Sequence, residues 1–248
     1  MAMAGLRGLL RAPEVKMSVA TNILIFAILG AGMLLRSRDA ISEQAQPFVA
    51  AAAVAVTFMG LAQLMFNHFG FDRNGFRAIV LLPSPRGHIL LGKNLALLPV
   101  AAIVFAVCIG VVAVLGHLPA WVLLATGFEF AAAFLTLCVL GNLASILVPY
   151  RIAAGSLKPT KLKALTQLLI FLTHLFFPLA MLPVFAPAGV GLLGDALWSL
   201  PFALTTTACA ALLAMVAALV YWQTLAPIGR LLQHREKAIL QVVTHEVE

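Results

Sequence analysis

The sequence predicts an all-α integral membrane protein, a single transmembrane domain over residues 1–248, and three observations carry that prediction. Hydrophobic residues make up 62% of the chain and charged residues only 10%, too few to cover a soluble globule, for which about 25% charged is ordinary. The apolar residues gather in six runs, 17–35, 48–66, 95–115, 121–148, 165–185 and 201–225, each near the roughly 20 residues that cross hydrocarbon about 30 Å thick. Of the 16 Lys and Arg, all but Arg36 and Arg38 lie before the first run, in the second and fourth connections, or after the last run. Six spans put both termini on one side, and a bias this strong puts that side in the cytoplasm.

Taken in order, residues 1–16 place Leu6, Leu9 and Leu10 on one helical face and Arg7 and Arg11 on another, before Pro13 interrupts. That pattern predicts a short interfacial helix. The first run is longer than the ~7 to 15 residues of a signal-peptide core and no small-residue cleavage site follows, so it predicts a span. The second connection, Asn67 to Asn94, is the longest polar interruption in the chain and mixes four basic residues with three phenylalanines. It predicts a short helix lying at the membrane surface.

Within it, Gly87, Gly92 and Lys93 match a phosphate-binding loop. That motif needs Ser or Thr where Asn94 stands and an α/β domain around it, so His88 to Leu91 read instead as the first turns of the third span. The fourth run exceeds a perpendicular span, and a helix starting near Phe128 would leave Trp121 to Gly127 as a surface-lying lead-in with Glu129 at the interface. A Glu129 deeper in the bundle would mark an ion or substrate path. Beyond the fifth run, 186–200 is apolar apart from Asp195; it fits a re-entrant pair broken near Gly191 and Gly194, or an interfacial loop anchored by Trp198. The sixth run carries Thr206, Ala210, Ala214 and Ala218 at every fourth position, a smooth face for a neighbouring helix. A charged tail, 226–248, closes the chain.

Chemistry-bearing residues are sparse. Gln63, Asn142, Gln167 and His174 come from three spans in the same half of the bilayer, where they line an inward-facing cavity or serve as interhelical hydrogen-bond glue. Cys108, Cys138 and Cys209 all fall in apolar runs, which argues against a disulfide or thiolate metal site. No metal-ligand motif, paired acids or activated nucleophile is present, so neither catalysis nor a cofactor bound by this chain is expected. The net charge of +7 does not point to nucleic acid, because the basic residues sit at the ends of apolar runs and form no continuous stripe.

The second connection has a counterpart among known families. Asn67, Phe69-Gly70, Asp72-Arg73 and Gly75-Phe76-Arg77, then Leu82-Pro83 and Leu91 to Ala96, resemble the segment after the second span in bacterial membrane subunits of ABC-2-type exporters. Pro149-Tyr150-Arg151 and Gly155 to Pro159 resemble a later cytoplasmic loop of the same group, and the six-span plan is similar along the whole chain. The resemblance implies a permease subunit of the bacterial cytoplasmic membrane, energised by a separate ATPase subunit that binds ATP and Mg. It further implies a coupling helix between the second and third spans that docks on that ATPase, here through Phe69, Phe71, Asp72, Arg73, Gly75, Phe76 and Arg77. The three phenylalanines are expected to anchor the segment and Asp72, Arg73 and Arg77 to face the partner. A second permease copy or related chain would complete the unit, and larger relatives carry extra spans ahead of such a segment. A stand-alone secondary transporter and a non-transporting membrane scaffold are the alternative classes.

Overall fold

A computed structural model of the chain describes residues 2–28, 41–153, 155, 159–160 and 164–244. Among these residues there is no β-strand; the helices, in order, are α1 (Ala2–Arg11), α2 (Pro13–Phe26), α3 (Gln46–Phe66), α4 (His68–Asp72), α5 (Phe76–Val80), α6 (Arg86–Gly116), α7 (Ala120–Leu147), α8 (Ala164–Trp198) and α9 (Phe202–Thr244). A short 3-10 turn, Arg73–Gly75, joins α4 to α5. Five helices, α3 and α6 to α9, are long and apolar enough to cross a membrane. The first of the six expected runs, 17–35, is represented by α2, and its residues 29–35 lie outside the described residues.

Proline and left-handed residues set the boundaries. Pro13 opens α2 after Ala12 turns to ψ 120°, since proline is tolerated in a first turn, where its missing N–H is not needed. Pro85 and Pro119 precede α6 and α7, and α6 stops where His117 turns left-handed at φ 49°. Ser199, at φ 52°, stops α8 in the same way, with its N–H and that of Leu200 closing back onto Asp195 and Gly194 carbonyls at 3.0 and 3.1 Å.

Three helices are longer than their apolar runs. α6 begins at Arg86, not 95, because its polar first turns find partners inside the fold: Asn94 Nδ2 donates to the Tyr221 hydroxyl at 2.9 Å. α8 continues through Pro178, Pro183 and Pro187 to Trp198, so 186–200 forms neither a re-entrant pair nor an interfacial loop; its residues are helical up to Trp198. α9 is one helix of 43 residues through Pro227, about 64 Å long at 1.5 Å per residue. The expected sixth span and the charged tail as far as Thr244 are therefore one helix, about twice the hydrocarbon thickness.

α7 sits at the centre, packed most extensively against α9 and α3, with α6 and α8 alongside. Small residues permit the approach. At Gly141 an added Cβ would overlap the Met65 carbonyl of α3, and at Gly229 it would stand 2.5 Å from the Gly87 nitrogen of α6. The expected small-residue stripe on α9 holds for Thr206 and Ala210 and then turns away: Ala218 is exposed while Ala217, Tyr221 and Leu225 are buried. Four residues advance an α-helix by somewhat more than one turn, so a strict every-fourth stripe drifts off the buried face.

A core of Phe58, Leu61, Met65, Leu97 and Leu137 continues unbroken into Phe69, Phe76, Leu232 and Ile239. Large apolar side chains of α8 and α9, among them Phe171, Leu179, Leu212 and Trp222, stay exposed, the surface that lipid would cover.

Candidate functional site

The segment after α3 is built on polar groups that would be costly to bury unpaired. Asn67 ends α3, and its side chain clasps the backbone of Tyr150 after α7: Nδ2 donates to the Tyr150 carbonyl at 2.8 Å and Oδ1 accepts from the Tyr150 N–H at 3.4 Å. Ser145 Oγ accepts from the His68 N–H at 2.9 Å. Gly70 lies so close beneath this clasp that a Cβ there would overlap the Tyr150 carbonyl. Its neighbours Phe69 and Phe76 are fully buried and meet edge to face at 5.1 Å.

Between the two phenylalanines the chain reverses at Arg73, whose φ of 49° is left-handed. A non-glycine residue stays there only when its surroundings hold it. Here Arg73 Nε donates to the Ile152 carbonyl at 3.1 Å, Nη2 donates to the Ala153 carbonyl at 3.1 Å, and the guanidinium pairs with Glu14 at the start of α2. Glu14 also accepts from the Gly155 N–H at 2.8 Å. Burial works to raise the Glu14 carboxyl, but its backbone hydrogen bonds and the Arg73 side chain outweigh that and hold it below the ordinary carboxylate value. One carboxylate thus ties together the N-terminal helices, the reversal after α3 and the connection after α7.

Two further pairs fix the same segment. Asp72 meets Lys93 of α6 at 2.5 Å, and the Lys93 ammonium stands 5.4 Å over the Phe69 ring. Arg86 donates to the Val80 and Leu82 carbonyls at 3.0 and 2.9 Å, capping α5, and pairs with Glu236 on the far half of α9. A cavity of about 550 Å³ remains between α1, this segment and α6, lined by Gly8, Leu9, Phe71, Ile79 and Lys93. His68 borders it; burial and the Lys93 charge push its pKa down to about 3, so its ring is neutral.

The expected docking residues are therefore brought together, but in different roles. Phe69 and Phe76 are core residues and Phe71 packs partly buried against the same core. Asp72 and Arg73 turn inward to Lys93 and Glu14, which corrects the expectation that they face a partner: their charges are spent within the chain. The exposed rim is Asn74, Gly75, Arg77 and Ala78.

The expected cavity residues are not gathered. Gln63 bonds to Tyr150, Asn142 is buried with Oδ1 unpartnered, and Gln167 is exposed on α8. His174 is also exposed on α8, its Nδ1 2.8 Å from the Ile170 carbonyl. Glu129 is buried in the continuous helix α7, so Trp121 to Gly127 is not a separate lead-in. Gly87 to Asn94 is helical and offers no phosphate loop. Among the described residues no three of His, Cys, Asp and Glu gather as a metal would require. Sequence reasoning missed Glu14 and Glu236, and picked out Tyr150 only within a loop motif, because their partners lie 59 residues or more away along the chain.

No protein-family model, no curated protein and no solved structure matches the chain.

Proposed function

We propose that this chain is the transmembrane permease subunit of an ABC-2-type exporter, with both termini in the bacterial cytoplasm and energy supplied by a separate ATPase subunit. The segment from Phe69 to Arg77 is its coupling element, and a second permease copy or related chain completes the transport unit. The observation that carries this reading is the way the segment is mounted. Its exposed rim, Asn74, Gly75, Arg77 and Ala78, stands on two buried phenylalanines. Ion pairs to α2 and α6 and hydrogen bonds to the connection after α7 then tie it to the bundle. A loop with so many attachments moves as part of the helices, and force applied at its rim reaches them. A surface-lying anchor would need none of these links.

The test is association with the ATPase. Asn74→Trp and Arg77→Glu change only exposed side chains, so the variant chain should insert and fold as before, yet lose most of the ATPase that co-purifies with the native chain in mild detergent. Undiminished association would overturn the docking assignment. Charge reversal at Asp72 and Arg73 would not serve, because it breaks the internal pairs to Lys93 and Glu14.

A further inference from the structure

Glu129 has no part in the docking site, and its surroundings are unlike those of any other acid in the described residues. It is 1% exposed, and neither carboxyl oxygen has a hydrogen-bond partner. Glu14, Asp72 and Glu236 each hold a cation, and Glu43 and Asp195 are exposed. Glu129 lies on α7, which packs more extensively against α9 than against any other helix. α9 brings Cys209 within electrostatic reach of Glu129.

The other elements packed on α7 supply no counter-charge. α3 contains no titratable side chain. Lys93 of α6 and Asp72 of α4 are paired with one another, and Arg86 of α6 is paired with Glu236. His174 of α8 is exposed, with Nδ1 at the Ile170 carbonyl, and His68 of α4 is the buried neutral ring described above. An ionised carboxylate left unpaired in an apolar bundle is strongly disfavoured, and such a group takes up a proton instead. Buried polar atoms without partners are rare and call for an explanation of this kind.

We propose that Glu129 is a proton-binding site at the α7–α9 interface, neutral in this conformation and able to release its proton only when the two helices part and water enters. The site acts on the conformational equilibrium: a protonated Glu129 favours the closed α7–α9 pair, and an ionised one favours an opened pair. It stands whether or not an ATPase drives the protein.

The experiment is infrared difference spectroscopy on the full chain in lipid nanodiscs, native against Glu129→Gln, a neutral isostere that keeps the fold. At neutral pH the native chain should show a protonated-carboxyl band that the variant lacks. That band should disappear reversibly as pH is raised while the protein stays folded. In the same titration, amide hydrogen exchange in α7 and α9 should quicken in the native chain relative to Glu129→Gln compared at each pH. An ionised Glu129 at neutral pH, or a band that persists until the protein unfolds, would overturn the proposal. So would exchange in α7 and α9 that is identical in the two proteins at every pH.

Discussion

Arg73 holds a positive φ of 49° with ψ −126°, a sparsely populated conformation that costs about 1–3 kcal/mol, and offsets it through a guanidinium that reaches Glu14 and two carbonyls. The two effects separate by mutation. Arg73→Ala keeps the strain and strands the buried Glu14 carboxylate, for a loss of about 3 kcal/mol at the low end of a broken buried pair. Arg73→Gly strands the same carboxylate but removes the backbone strain, so its loss should be about 1 kcal/mol smaller. Unfolding in detergent measures both, and equal losses would show that the positive φ carries no strain. His68 makes a separate, pH-dependent demand. Its folded pKa of about 3 lies below the ordinary 6.5, so as pH falls through 6.5 the unfolded chain binds a proton that the folded chain refuses, and stability declines until about pH 3. Glu14, whose ordinary value is 4.5 and whose folded value is lower, contributes stability that is fully present above 4.5 and is lost as pH falls from there through the folded value. Between pH 6.5 and 4.5 Glu14 therefore contributes no slope and His68 does. In a Glu129→Gln background, where the buried carboxyl of α7 does not titrate, His68→Gln should flatten that slope, as followed by unfolding in detergent at stepped pH; a persisting slope would place the titrating group elsewhere.

At the scale of elements, what the sequence made legible was what depends on runs and local spacing. The second apolar run covers 48–66, and α3 spans Gln46–Phe66. The misjudged boundaries share one cause. Hydropathy counts a polar turn as an end, whereas a helix continues if its polar side chains find partners, as Asn94 finds Tyr221 and Arg86 finds Glu236. On α8 the error ran the other way: Gly191 and Gly194 fit a break in a re-entrant pair, yet one long apolar helix runs through them to Trp198. The site was legible only as a segment. Which of its charges face outward depended on Glu14 and Lys93, and no pattern along the chain links residue 14 to residue 73. The buried face of α9 was half legible, because four-residue spacing matches a helix for two turns and then drifts.

The whole molecule is joined end to end by α9. Its first half packs along α7 and α8, and its second half brings Leu232, Ile239 and Val243 into the same core as Phe69 and Phe76. The mounting of the 69–77 segment is therefore shared between the membrane bundle and a helix reaching far beyond it, and loosening that far half should free the segment without disturbing the spans. Leu232→Ser with Ile239→Ser tests this, because both side chains are almost fully buried and the removal of each costs about 2–5 kcal/mol when it leaves a cavity. Limited trypsin digestion in nanodiscs reads the outcome, since cleavage after Arg73 requires the reversal to open and tracks the population of the open form when closing is fast. Cleavage there should rise about tenfold or more, the ratio that corresponds to 1.4 kcal/mol, while the amount of inserted protein stays the same. An unchanged rate at Arg73 would mean that the ties to Glu14, Tyr150 and Lys93 hold the segment alone, and the far half of α9 would then have no part in carrying movement between the rim and the spans.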